Sequence, residues 1–550
     1  MNRLYYGDNL EVMRESIAAE SVDLVYLDPP FNSNRAYNVI FGKHARGGNG
    51  ASAQIQAFGD TWQWTHVTDQ QYQRLTGAGE LPMPVADALM AFHALLGEND
   101  ALAYLVNMAP RLVELRRVLK PTGSLYLHCD PTMSHYLKML LDATFGADNF
   151  RSEIIWRRYG SHNDAKGYGS VHDVIFYYVK GKTFTFNKQF TAYADAYVAQ
   201  RFRSADPDGR RWREQNLVSP NPRPNLTYAY TALNGITYEP PPNGWKVTPD
   251  RMAVLDAERR LLYPAKAGGR LRLKNYLDEG RGVPVPDLWT DIVAIGGTSP
   301  ERLGYQTQKP VALLERIVAA SSNEGDVVLD PFCGCGTAVD AAQRLNRQWI
   351  GIDIAYIAID LIEKRLLHTF GPAVTDTYEV LGSPRDLDGA QALAERSKFD
   401  FERWAVTQID AQPNEKQVGD KGVDGVAWFY LEKNSHGRVL VSVKGGQTIG
   451  PQFVRDLIGT VETQKAQMGV LITMAEPTRG VLDAINHGGT YTWPRNGQSY
   501  PRVQVITIRE LLSGVRPNMP RIQLPYYVQA TRAPVPSAQI GFDELASESM

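Results

Sequence analysis

The 550-residue chain has only three cysteines, too few and too unevenly spread for a disulfide framework: Cys333 and Cys335 are two apart, and Cys129 lies far upstream. A reducing compartment is therefore expected, with a cytoplasmic location. The same cysteines do not make a zinc site, because Cys333-x-Cys335 has no companion pair and His128-Cys129 sits on a separate strand pattern. They read as small apolar packing groups. No apolar run approaches the ~20 residues of a membrane helix, so no membrane span is expected. Met1-Asn2-Arg3-Leu4-Tyr5-Tyr6 lacks the apolar core of a signal peptide and reads as entering structure at once. No internal repeat is visible. An excess of one charge is missing too: 58 Lys+Arg stand against 60 Asp+Glu, a net charge of −2 that taken alone speaks against a nucleic-acid partner. With 43% apolar and 21% charged residues, the chain is neither disordered nor fibrous. It is long enough for two or more domains with real cores.

What is present is alternation. Val22–Leu27 is a short buried-strand pattern that stops at Asp28-Pro29-Pro30. Ala103 to Leu119 has helical spacing and ends before Lys120-Pro121-Thr122-Gly123, a stop and turn signal. Ser124–His128 reads as a strand, and a helix is expected from about Ser134 to Phe145. Asp326–Leu329, Thr337–Leu345 and Trp349–Ile352 repeat the order strand, helix, strand. Such alternation predicts an α/β fold with a doubly wound, mostly parallel sheet. Residues 42–100 read as an irregular insertion, Gly-rich at first and then holding Trp62 and Trp64; residues 181–300, rich in Pro, Gly, Arg and Tyr, read as a second.

Two strand-end motifs carry chemistry. Asp330-Pro331-Phe332-Cys333-Gly334-Cys335-Gly336-Thr337 follows a strand and opens a helix, where α/β sheets bind ligands. Gly334 and Gly336 would let the backbone approach a ligand, and Asp353, ending the next strand, is placed to accept hydrogen bonds from ribose hydroxyls. A dinucleotide loop is the alternative. However, Val339 replaces the third glycine of that pattern, and Asp330 suits a cationic amino or sulfonium ligand better than a pyrophosphate. In Asp28-Pro29-Pro30-Phe31-Asn32, a carboxylate and a backbone carbonyl held rigid by prolines could accept both hydrogens of an exocyclic amine, with Phe31 stacking on the base. A Pro-Pro turn with a capping Asp is the plainer alternative.

Together these motifs resemble the S-adenosylmethionine-dependent DNA amino-methyltransferases, which act on adenine N6 or cytosine N4. Tyr6-Gly7-Asp8-Asn9 is similar to that family's segment whose Asp meets the cofactor adenine. Gln308-Lys309-Pro310, before a helix at Leu313–Ala320, is similar to the segment closing over the cofactor methionine. His172-Asp173 with Val174–Val179 is similar to the segment beside the catalytic pocket. The catalytic motif precedes the cofactor motif, the permuted order of the family's β group. The resemblance covers roughly residues 1–380. It implies a permuted class I methyltransferase fold over 1–382, with a target-recognition region at about 181–300. It also implies that Asp28, Pro29, Pro30 and Phe31 act at the target base, and that Asp8, Lys309, Asp330, Phe332, Gly334, Gly336, Thr337 and Asp353 bind S-adenosyl-L-methionine. The target base must flip out of the duplex. D-P-P-F favours adenine, with cytosine as the alternative.

Double-stranded DNA is the implied partner, and a homodimer is one assembly left open. From Arg151 to Arg223 the chain has 13 Lys/Arg against 7 Asp/Glu, interleaved with aromatic residues, a texture that suits phosphate contacts and stacking. Its densest part is Arg201, Arg203, Arg210, Arg211 and Arg213. A solvated surface with some core aromatics is the bland alternative.

After a linker at 383–398, a second, smaller α/β domain is expected at 399–515, with Phe399–Ile409 helical, Arg438–Val443 a strand, and Val454, Leu457, Ile458 and Val461 on one helix face. A Pro-rich tail follows at 516–550. Gly422-Val423-Asp424-Gly425 and Val441-Ser442-Val443-Lys444 resemble the core of PD-(D/E)xK restriction-endonuclease-like domains. The resemblance implies a nuclease-like site of Asp424, Lys444 and Glu402, with magnesium only if the domain cuts. Ser442 stands where the second carboxylate is expected, and a hydroxyl is a poor substitute. An active nuclease, a degenerate one kept for DNA binding, and an unrelated α/β module all stay open. The functional expectation is an adenine-specific DNA methyltransferase. A combined modification-and-cleavage protein and a DNA-binding protein on an inactive methyltransferase fold are the alternatives.

Overall fold

The computed structural model describes residues 1–30, 36–40, 54–59, 63–77, 79–160, 167–266, 268–296, 299–303, 305, 307–414, 422–432 and 435–520. Phe31, Trp62 and the tail from 521 onward lie outside the described residues. The polypeptide divides into two compact units, one of residues 1–187 and 287–550 and the other of residues 188–286.

The first unit is built on a nine-stranded sheet. Its order across is Leu288–Trp289, Phe150–Arg157, His172–Val179, Leu119–Cys129, Val22–Leu27, Val327–Asp330, Gln348–Asp353, Asn2–Tyr6, Tyr378–Leu381. Neighbours run parallel except His172–Val179, which is antiparallel to both its neighbours. This is the expected mostly parallel α/β sheet. Helices cover both faces, so the central strands are almost wholly apolar: Val22, Leu24, Val25, Tyr26 and Leu27 are all buried.

Local signals set the helix ends. Asn99 caps Asp100–Val118 by accepting from Leu102 N, which moves the start ahead of the expected Ala103. Asp130 caps Pro131–Phe145, with Pro131 in the first turn, again earlier than expected. The 42–100 segment is not irregular throughout. His66–Gly77 and Met83–Leu96 are helices, the second opened by Pro82-Met83-Pro84 and burying Val85, Leu89 and Phe92 at i, i+4, i+7. Likewise 383–398 is not a plain linker. Asp386 caps a helix at Leu387–Arg396 that buries Ala390 and Leu393, a short repeat masked by the charges around it.

The C-terminal part forms a five-stranded sheet in the order Gln412–Pro413, Gly425–Glu432, Ser435–Lys444, Met468–Thr473, Val503–Thr507. The helix Pro451–Thr463 packs Val454, Leu457 and Val461 into its core. The 188–286 unit has a four-stranded antiparallel sheet centred on Arg211–Asn216 and Arg272–Tyr276, around a core that includes Leu217, Trp245, Met252 and Leu271.

Candidate active site

Val22–Leu27 and Val327–Asp330 lie side by side, with Leu24 opposite Val328 and Val25 opposite Leu329. Both chains therefore leave the sheet at the same edge, and Asp28-Pro29-Pro30 and Asp330-Pro331-Phe332 come out together at the carboxyl ends of the strands. A cleft there is lined by Asp28 and Pro30 from the first motif, and by Asp330, Phe332, Gly334 and Thr337 from the second. Asp8, Lys309 and Asp353 complete the wall. Pro29 is buried but is not a lining residue, and neither is Gly336.

The two loop glycines do different work. Gly334 faces the cleft at φ +48, and a Cβ there would come within 3.3 Å of the Tyr305 ring. Gly336, at φ +74, caps the helix Thr337–Arg344, and a Cβ on it would sit 2.6 Å from the Ile362 side chain. Its bareness makes room for the Ile362 side chain. Behind the loop, buried Arg365 donates to Asp340 Oδ2 at 2.8 Å, to the Cys335 carbonyl at 2.9 Å and to Thr337 Oγ1 at 3.2 Å. All three cysteines are buried.

The cleft is rich in acid. Burial pushes the Asp330 carboxyl well above the usual range; one N–H from Phe332 and the Lys309 charge oppose this, while Asp28 and Asp353 reinforce it. Burial also pushes Asp353 up to about 6, although Ala355 N and Gly334 N each donate to it at 2.8 Å. Lys309 Nζ donates to Asp28 Oδ2, whereas Asp28 Oδ1 is buried and accepts no hydrogen bond among the described residues. Lys309, expected only as a cofactor ligand, is thus also the counter-ion of Asp28. Such a donor set fits S-adenosyl-L-methionine: the carboxylates would suit its sulfonium and ammonium, and Lys309 would offer a cation to its carboxylate.

Beneath the cleft lies a buried hydrogen-bonded chain whose pairing the sequence did not reveal. Tyr26 Oη is 2.9 Å from His128 Nδ1, and His128 Nε2 is 3.1 Å from Asp173 Oδ2. Burial pushes Tyr26 well above its ordinary value, so it keeps its proton. For Asp173 burial acts upward too, but the His128 hydrogen bond and nearby Lys309 and Arg158 leave it below its ordinary value. The arrangement assigns the Nε2 proton of His128 to a bond with Asp173, and Nδ1 to accepting from Tyr26. Tyr26 lies two residues before Asp28 on the same strand face and Asp173 falls in the His172-Asp173 segment matched beside the catalytic pocket, whereas His128 carried no such signal. His128 and Asp173 meet because Leu119–Cys129 pairs with His172–Val179.

Of the five arginines expected on DNA, three make contacts within the 188–286 unit. Arg210 pairs with Asp278 and Glu279, Arg211 donates to the Phe202 and Val198 carbonyls, and Arg213 binds the Tyr197 hydroxyl. Arg201 and Arg203 are exposed. The unit has 16 Lys/Arg against 10 Asp/Glu, an excess of six positive charges. In the C-terminal domain, Asp424 Oδ2 accepts from Val443 N at 2.6 Å and Ser442 Oγ at 3.3 Å, and Lys444 Nζ lies 3.8 Å away. Glu402 pairs with Lys398 at 3.8 Å. Among the described residues no group of three or more His, Cys, Asp or Glu is arranged to hold a metal.

Residues 22–364 match the family described as DNA methylase (N6_N4_Mtase). Residues 399–513 match the one described as NACHT-associated inactive Restriction Endonuclease 1. Type II methyltransferase M.EcaI of Enterobacter cloacae is 33% identical over 265 residues, 48% of this chain and 57% of its own. DNA adenine methyltransferase YhdJ of Escherichia coli (strain K12) is 23% identical over 353 residues, 64% of this chain and 78% of its own. The solved PvuII DNA methyltransferase (cytosine-N4-specific) is 13% identical, with a TM-score of 0.32, over 66% of this chain and 86% of that one. Against the first curated relatives it matches, the chain spans between 50% and 57% of their length.

Proposed function

The chain belongs to the N6/N4 DNA methylase family, and we propose that it transfers a methyl group from S-adenosyl-L-methionine to the exocyclic N6 amine of adenine at specific sites in DNA. The observation that carries this reading is Asp28 Oδ1, a buried acceptor with no partner among the described residues, at the edge of an acid-rich cleft. A buried acceptor without a donor costs free energy until a ligand supplies one. An exocyclic amine supplies two hydrogens, one for Asp28 and one for the Pro29 carbonyl, and the D-P-P-F sequence favours adenine over cytosine. When bound, S-adenosyl-L-methionine supplies an electrophilic methyl on a positively charged sulfur. Asp28 orients the amine so that its lone pair meets that methyl, and Lys309 holds the other Asp28 oxygen. Asp330, Asp353 and the Phe332–Thr337 loop orient the donor.

The duplex would be held by the 188–286 unit, with exposed Arg201 and Arg203 on phosphates, and the base would leave the stack to reach Asp28. We place this work in the cytoplasm; among the described residues no helix is long and apolar enough to cross a membrane. The C-terminal domain is read as a nuclease fold that no longer cuts: a hydroxyl replaces the second carboxylate, and Asp424 is held by Val443 N and Ser442.

The test is tritiated methyl transfer to unmethylated DNA, followed by chromatography of the digested nucleosides. N6-methyladenine is expected, and Asp28→Asn should slow transfer at least ~10²-fold with the thermal midpoint little changed. N4-methylcytosine would overturn the choice of base. No incorporation by wild type would overturn the whole reading.

A further inference from the structure

Arg111 has no motif around it and no part in the reading above beyond lining the cleft. It projects from the helix Asp100–Val118 and is 8% exposed, a buried guanidinium that needs partners. It finds them on the segment after the first strand. Arg111 Nη2 donates to Asp8 Oδ2 at 2.7 Å, and Nε donates to Asn9 Oδ1 at 2.7 Å. A third donor, Nη1, returns to the Asn107 carbonyl of its own helix at 2.8 Å.

Asn9 carries the connection onward. Its Nδ2 donates to the Pro331 carbonyl at 2.7 Å, and Asn9 itself is 7% exposed. One path of charged and neutral hydrogen bonds thus runs from the helix at 111, through 8 and 9, to the Asp330-Pro331-Phe332 turn. These three segments are remote in the chain and line the same cleft. The other Asp8 oxygen accepts from Leu10 N at 2.8 Å as a helix cap. Its carboxylate plane is therefore fixed from two sides, with 31% of the side chain still exposed.

We propose that Arg111 is a positioning residue for the methyl donor, a strut that sets the Asp8 carboxylate and, through Asn9, the Pro331 turn at the spacing the donor needs. The inference rests on the cleft being the S-adenosyl-L-methionine site. Arg111 acts through Asp8 and Asn9, so its loss loosens donor binding while leaving Asp28 and the DNA-binding unit as they were. A hydrogen bond to a charged group has an effect of about tenfold or more on an equilibrium. Lysine retains the charge but cannot span Asp8 and Asn9 with a rigid fork.

Titration calorimetry on the full chain, with S-adenosyl-L-methionine and S-adenosyl-L-homocysteine as ligands, tests this. Arg111→Met should raise both Kd values about tenfold or more, Arg111→Lys by less, and Asn9→Ala in the same direction. The double variant Asn9→Ala/Arg111→Met should be no weaker than Arg111→Met alone, because both lie on one path. KM for the donor should rise, while kcat at saturating donor and Kd for a duplex stay within about twofold of wild type. Folding is followed by circular dichroism melts; if Arg111→Met does not fold, Arg111→Lys and Asn9→Ala decide. A folded variant with wild-type donor affinity, or an equal loss of kcat and duplex binding, overturns the proposal. Wild type that binds no donor overturns the cofactor reading itself, and that result is separable from a wild type that binds and an Arg111→Met that binds equally well.

Discussion

Lowering the pH from 8 to 5 should weaken donor binding about tenfold through one group, Asp353. Burial raises this carboxyl to about 6, above the ordinary value near 4. Both its oxygens already accept backbone N–H bonds, from Gly334 and Ala355. The further hydrogen bonds expected from ribose hydroxyls need acceptor oxygens, so the ionised form is the binding form. With a midpoint of about 6, roughly 99% is ionised at pH 8 and roughly 9% at pH 5, and the apparent Kd scales with that fraction. The same raised value means that this group's contribution to folding declines as pH rises from about 4 to about 6 and then levels. Donor binding recovers that loss above 6. Titration calorimetry from pH 5 to 8 at constant ionic strength measures the profile, and Asp353→Asn should reduce its slope and lower affinity throughout. Glu363, raised to about 7 on the following helix, does not line the cleft, and Asp330, which does line it and is also raised by burial, is retained in Asp353→Asn, so that variant isolates the Asp353 share of the profile. A flat wild-type profile, or an unchanged slope in Asp353→Asn, would refute the reasoning.

Three further outcomes follow from buried groups. His128→Ala removes one partner of the buried Asp173 carboxylate, which keeps Arg158 at 3.3 Å, and should destabilise the fold by about 1–3 kcal/mol in chemical denaturation. In wild type, because Asp173 sits below its ordinary value, its stabilising share is present above about pH 4 and should fade as pH falls further. Gly336→Ala should cost about 1–2 kcal/mol for its left-handed backbone alone, with the Ile362 clash added; Gly334→Ala carries a similar backbone cost and should in addition raise donor Kd. Asp424→Ala leaves the buried Val443 N–H without its acceptor and should lower stability by about 1–3 kcal/mol, while plasmid DNA stays intact with magnesium in both proteins. Magnesium-dependent cutting that Asp424→Ala abolishes would contradict the reading of the C-terminal site.

Much of the site was legible because its parts are local. A proline pair after Val22–Leu27 ends a strand wherever that strand goes, and a Gly-rich turn between strand and helix makes a ligand loop in any α/β sheet. The irregular reading of 42–100 failed for the opposite reason. Residues 83–96 are apolar on nearly every face, so periodicity hid a helix whose Val85, Leu89 and Phe92 become a stripe only once a core exists to take them.

The sequence alone determined the alternation of strands and helices, the two acidic strand ends and the chemistry each can do, because these depend on bonding within a few residues. It could not say which charges are already satisfied. Tertiary structure decided that Lys309 neutralises Asp28, that Arg210, Arg211 and Arg213 are tied within their own unit, and that Gly336 serves Ile362. It also brought Arg111 to Asp8 and His128 to Asp173. The physical reason for the charged and polar cases is that such a group is defined by its partner, and the fold, not the local sequence, delivers that partner.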